Sequence, residues 1–157
     1  MTGAVCLLVL LALIVWIPNY ITAENRSRQK RSLADIRAIG TAWEARETDV
    51  HTYAVGAKHR DVVAGKTFDW KALTPVAADS LQRELQPTYI REFPRTDAWG
   101  RSFEFVAGDK SYAIRTLGRD GRSDARNGTY AVSFTTTSFD ADLVYANGSF
   151  VRMVDGI

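Results

Sequence analysis

The chain has 157 residues, enough for one domain-sized core and too few for two. Apolar residues make up 46% and charged residues 24%, which excludes a disordered or collagen-like chain. The net charge of +2 is uneven: residues 24–37 hold five Lys/Arg against two Asp/Glu, and residues 38–157 hold 15 against 16. Nucleic-acid binding needs a basic stripe on the folded domain, so this distribution points instead to a collar beside a membrane segment.

Residues 1–23 contain no charged side chain, and Gly3–Ile17 is apolar throughout. A spanning helix needs about 17–25 such residues at ~1.5 Å each, so this segment is expected to lie in a membrane or in the core of a fibre. A cleaved signal peptide fits poorly. No basic stretch precedes the apolar run, and Ile21-Thr22-Ala23 stands where Ala-x-Ala would be cut. Val5 before Cys6 likewise argues against a lipoprotein.

In residues 24–49 the apolar positions Leu33, Ile36, Ile39 and Trp43 recur at spacings of three, three and four. That is one stripe of an amphipathic helix. With no proline between Pro18 and Pro75, residues 1 to about 48 are expected to form a single helix, kinked or loosened at Pro18. Its second half should lay the Trp43 stripe on a sheet.

Residues 50–157 read as a small α+β head. Thr74-Pro75 looks like a helix cap with proline in the first turn, followed by a short helix over Val76–Leu85. Ser102–Val106 and Ser111–Thr116 form a first hairpin around Ala107–Lys110. Leu143–Ala146 and Ser149–Val154 flank Asn147-Gly148, a strong two-residue hairpin signal. The expected sheet has about four antiparallel strands covered on one face by the long helix.

Two carboxylate-bearing turns lie between the hairpins, Leu117–Asp124 and Ser138–Asp142. Hard Ca²⁺ takes six to eight oxygens, mixing carboxylates with backbone carbonyls. Asp120, Asp140 and Asp142 brought together without a cation would repel one another. Asp-Gly pairs also simply make turns, and Arg119, Arg122 and Arg126 are at hand to pair with the acids. Asp124 is a further acid in the same region. Spacing leaves both readings open.

Other groups offer little chemistry. Cys6 lies in the apolar run, His51 and His59 lack an HExxH pattern, and no GxSxG, Walker-type or GxGxxG motif occurs. Asp97 before Trp99-Gly100 reads as a turn acid capping backbone donors. Glu44 and Glu47, with Arg46 beside them, read as ordinary helix surface. No catalytic residue is assigned, and the chain is not expected to be an enzyme.

Several segments together carry a resemblance. Residues 18–45 (from Pro18-Asn19-Tyr20 through Trp43) resemble the amino-terminal helix of type IV pilins and pseudopilins. Phe93–Phe105, with Pro94-Arg95-Thr96-Asp97-Ala98-Trp99-Gly100, resembles the Pro-x-Asp-x-Trp-Gly segment of the major pseudopilin of type II secretion systems. Tyr112–Gly121 resembles that family's strand followed by Leu-Gly-x-Asp-Gly, and Asp140-Ala141-Asp142 its closing Asp-Ala-Asp. Residues 50–72 and an insertion over 122–137 fall outside the likeness. The resemblance implies a structural Ca²⁺ held by Asp120, Asp140, Asp142 and the Leu117 carbonyl.

It also implies a filament subunit. Residues 1–23 would anchor the protein in the bacterial inner membrane, with the head outside the cytoplasm. They would then join a helical homo-oligomer with the help of other pseudopilins and an assembly platform. The family's basic leader and mature-helix glutamate are not in the sequence, so the native polypeptide is expected to begin upstream of Met1. The alternative is a membrane-tethered periplasmic interaction module that does not polymerise. Membrane lipid is a partner in either case; nucleic acid is not.

Overall fold

The computed structural model of the protein describes residues 2–54, 67–132 and 134–154, and side chains within them for residues 16–153. Cys6 and most of the uncharged run fall outside the described side chains, and His59 outside the described residues. The architecture is α+β. Helix α1, Thr2–Val50, runs for 49 residues with Pro18 inside it. It ends where His51 takes a left-handed φ of 61° and donates its amide to the Glu47 carbonyl at 2.6 Å.

The head follows as β1 (Thr67–Asp69), a single 3₁₀ turn (Trp70–Ala72), β2 (Thr74–Val76), α2 (Ala78–Leu85), β3 (Glu104–Ala107), β4 (Tyr112–Thr116), β5 (Thr129–Ala131), β6 (Phe134–Thr136), β7 (Leu143–Ala146) and β8 (Ser149–Val154). Six strands make one sheet in the order β2-β3-β4-β7-β8-β6, while β1 pairs with β5 alone. All pairings are antiparallel except β6 with β8.

Two expectations need correction. Thr74 and Pro75 do not start a helix; they lie in β2, where Thr74 faces Ala107 and Val76 faces Phe105. As β2 is the outer strand, the donor that Pro75 lacks is not missed by the sheet. The helix itself begins at Ala78, after Ala77. The sheet also exceeds four strands, because β2 joins one edge and β6, from the insertion, joins the other.

The central strands β3, β4 and β7 are buried on both faces, which is why they are apolar nearly without alternation. Phe105, Ala107, Tyr112, Ile114, Leu143 and Tyr145 meet Leu33, Ile36, Ile39, Ala42 and Trp43 of α1, with Leu81 and Leu85 of α2. The alternate positions, Val106, Ala113, Val144 and Ala146, meet Phe68, Trp70, Leu73 and Tyr130 on the other side. The stripe read from the sequence is thus the helix half of the first core, with Leu33, Ile36, Ile39 and Trp43 all buried. Each such aliphatic side chain contributes about 1.5–3 kcal/mol when fully buried. Trp43 also donates its indole N–H to the Tyr53 carbonyl at 3.1 Å, tying the chain after α1 back to the helix.

The supposed helix surface is partly interior. Arg46 is buried, donating to the Thr52 carbonyl at 3.0 Å and pairing with Glu84 of α2 at 3.2 Å. Glu44 accepts the Tyr112 hydroxyl at 2.7 Å.

Candidate metal centre

The strand β4 delivers the chain into a tight turn at Leu117–Gly121, closed by the Gly121 amide donating to the Leu117 carbonyl at 3.2 Å. Gly118 has a φ of 63°, and a β-carbon there would stand 2.5 Å from the Asp140 carbonyl oxygen. Only glycine allows that approach. The Arg119 amide then donates to the Phe139 carbonyl at 2.9 Å, so the two acidic turns lie side by side.

Their side chains diverge. Asp140 is gripped by the Arg119 guanidinium through two bonds of 2.8 and 2.9 Å. That pairing holds the Asp140 carboxyl below its ordinary value. Asp120 is exposed, and its Oδ1 accepts the Arg122 amide at 3.0 Å. Asp142 turns inward and is fully buried. Its Oδ2 accepts from the Tyr130 hydroxyl, the Asp124 amide at 3.0 Å and the Ser123 hydroxyl at 3.4 Å. Its Oδ1 is buried with no donor. Burial pushes the Asp142 carboxyl up, although its bonds to Tyr130 and the Asp124 amide oppose this. Tyr130 is likewise pushed up, to about 12, first by burial and then by the bond to Asp142.

Asp124, a further candidate ligand outside the resemblance, is locked to Asp142. The two exchange backbone-to-carboxylate bonds of 3.0 and 3.1 Å, and Asp124 also pairs with Arg152 at 2.8 Å. The turn acid is as expected: buried Asp97 accepts the Trp99 and Arg101 amides, both at 2.9 Å, and the Thr116 hydroxyl.

Three further residues complete the region without having been singled out from sequence. Arg101 meets the Leu117 turn, its guanidinium donating to the Arg119 carbonyl and lying beside Gly121. Arg115 of β4 pairs with its cross-strand neighbour Glu104 of β3 at 2.6 Å and donates to the Tyr130 hydroxyl at 2.9 Å. Arg152 lies over the Phe134 ring at 4.2 Å. The sequence signal that could have found this network is the small apolar group Tyr130, Val132 and Phe134 within a polar insertion.

Leu117, Asp120 and Asp140 therefore lie on neighbouring turns, while the Asp142 carboxylate turns inward to Tyr130, Ser123 and the Asp124 amide and is not brought to the other two acids. Among the described residues, no three His, Cys, Asp or Glu side chains are grouped closely enough to hold a metal ion as they stand. The fit to a cation rests on the orphaned Asp142 Oδ1, an oxygen in need of a positive partner.

At the other end of the chain, Trp16, Ile17, Tyr20 and Ile21 are exposed. Among the described residues, no helix is long and apolar enough to cross a membrane. No protein-family model, curated protein or solved structure matches the chain.

Proposed function

We propose that this protein is a structural subunit of a pilus-like or pseudopilus filament of the type II secretion kind, anchored in the inner membrane before assembly. One observation carries this reading. Helix α1 would be roughly 70 Å long, yet its first buried residue among those described from Trp16 onward is Gln29. Among the described side chains, none of residues 16–28 is buried against the head. A helix that exposes Trp16, Ile17, Tyr20 and Ile21 needs other molecules to cover them, and packing against many equivalent helices supplies that cover.

The head of such a subunit would hold one Ca²⁺ through the Leu117 carbonyl, Asp120, Asp140 and Asp142. A bound Ca²⁺ would supply the positive charge that the orphaned Asp142 oxygen lacks and would join the two turns across the insertion. Arg119 competes for the same role, since it already neutralises Asp140. Its release would free both Asp140 oxygens.

Deleting residues 1–23 tests the filament reading. The shortened chain should be a soluble monomer, whereas the full chain should sediment with membranes and, with its assembly machinery, form fibres. Fibres or membrane sedimentation from the shortened chain would overturn the reading. A full chain that stays membrane-bound and monomeric with that machinery present would favour the tethered interaction module.

A further inference from the structure

Helix α1 carries a second pattern on the side away from the head. The Trp16 and Tyr20 rings stack with centroids 5.9 Å apart and planes 18° apart, and they are 68% and 59% exposed. Further along, Arg26, Arg28, Lys30 and Arg31 are all exposed. Arg28 pairs with Glu24 at 2.6 Å, and Arg31 acts on Asp35. Arg26 and Lys30 form no ion pair among the described residues.

A helix turns about 100° per residue, so Trp16, Tyr20, Ser27 and Arg31 share one face, with Lys30 at its margin. The buried positions Gln29, Leu33, Ile36 and Trp43 lie opposite. The rings, Lys30 and Arg31 consequently look away from the head, whereas Arg26 projects near the azimuth of Leu33 but stands ahead of Gln29, the first buried residue among those described, and is exposed there. Along the axis, Arg26 and Arg31 lie roughly 9 and 16 Å beyond Tyr20. The polar layer of one leaflet is about 5–8 Å thick, and the field of anionic headgroups extends about 8 Å further at physiological salt. If the ring pair sits at the interface, where Trp and Tyr concentrate, the cations fall within that field.

We propose that the stacked Trp16–Tyr20 pair marks the membrane–water interface and that Arg26, Lys30 and Arg31 bind anionic phospholipid headgroups, holding the subunit at the membrane surface before assembly. This rests on the filament-subunit reading, with residues 1–23 in the membrane. Charge complementarity selects the occupant. Residues 24–31 carry four basic side chains against Glu24 alone, while residues 38–157 are close to neutral and offer a second copy's head little to attract them. Orientation does not account for the cluster either. Basic flanks normally mark the cytoplasmic side, and the proposed head lies on the other.

The test uses the full chain in lipid vesicles. Emission from Trp16, taken as the difference between wild type and Trp16→Phe, should be quenched more by lipids brominated near the headgroup than by lipids brominated near the bilayer centre. Transfer from detergent micelles should favour vesicles containing phosphatidylglycerol over pure phosphatidylcholine by roughly tenfold or more, because each basic residue near the surface adds to the attraction. High salt should erase that preference, and so should Arg26→Gln/Lys30→Gln/Arg31→Gln, with the near-UV spectrum of the head unchanged. Equal insertion into both vesicles, or deeper quenching at the bilayer centre, would overturn the proposal and leave the membrane reading intact. A chain that fails to float with either vesicle would remove the membrane reading and this proposal together. Efficient crosslinking between copies through Lys30→Cys in dilute vesicles would assign the face to a second subunit and overturn the lipid assignment.

Discussion

Gly40 stands so close to Tyr145 that a β-carbon at 40 would lie 2.5 Å from the ring's Cε1 and 3.1 Å from the Tyr112 hydroxyl oxygen. This contact lets α1 settle onto β7. Helix propensity alone would make Gly40→Ala stabilising by about 1 kcal/mol. Crowding a packed ring costs about 1–3 kcal/mol, and Tyr145 is wedged against Tyr112 and Phe150. Gly40→Ala should therefore lower the urea midpoint of the head. In a Tyr145→Ala background the same substitution should raise it, a reversal that the unperturbed helix alone would not produce.

Asp97 offers a sharper test of the turn before β3. Its buried carboxylate satisfies two part-buried backbone amides and the buried Thr116 hydroxyl. Leaving such donors unpaired costs about 1–3 kcal/mol each, so Asp97→Ala should destabilise the head by several kcal/mol in urea unfolding. Asp97→Asn, which keeps one acceptor oxygen, should recover part of the loss. Thr116→Val should cost less than Asp97→Ala, since it removes a single bond.

Calcium should raise the melting temperature of the head. A cation that binds only the folded form stabilises it by about 2.7 kcal/mol when its free concentration is a hundredfold above the dissociation constant. Chelation should lower melting and expose Arg122 and Arg126 to trypsin. Asp120→Ala and Asp140→Ala should each abolish the calcium response. Arg119→Ala should strengthen it, because the competing guanidinium is gone. Identical melting in excess chelator and in millimolar calcium would show that the acid–arginine pairs suffice.

In chelator, the buried Asp142 carboxyl sets a pH dependence. Its folded value lies above the ordinary 3.8, so the folded head holds the proton more tightly than the unfolded chain. The resulting stabilisation is complete below about 3.8 and fades as pH rises through the folded value. Asp142→Asn should remove this component, giving a shallower decline in melting temperature between acid and neutral pH. A variant that declines as steeply as the wild type would assign the titration elsewhere.

Much of this fold was legible where local chemistry decides structure. The spacing of Leu33, Ile36, Ile39 and Trp43 encodes a buried stripe whatever it meets. Asn147 and Gly148 take φ values of 48° and 82°, as a two-residue hairpin demands. Pro75 misled because proline suits the first turn of a helix and an outer strand equally well. The short strands β5 and β6 were hidden, since three residues give no period, and β6 exists only through its parallel contact with β8. The same limit applies to the candidate site. The Leu117–Asp120 turn announces itself through glycine, whereas the lock between Asp124 and Asp142 spans 18 residues and leaves no mark in either neighbourhood.

The point at which α1 meets the head also fixes how a pull on its amino-terminal end would be borne. The first ties beyond the exposed segment are the Gln29 amide to the Ser138 carbonyl at 3.4 Å and the Ala98 amide to the Ser32 hydroxyl at 3.0 Å. Behind them lie the buried stripe, the Trp43–Tyr53 bond and the Arg46 contacts, all along the same axis. Tension applied along the helix would load these contacts in shear, many at once, instead of peeling them apart in turn. The weakest direction is sideways, where leverage on the helix ahead of Gln29 falls first on the bonds of Gln29 and Ser32.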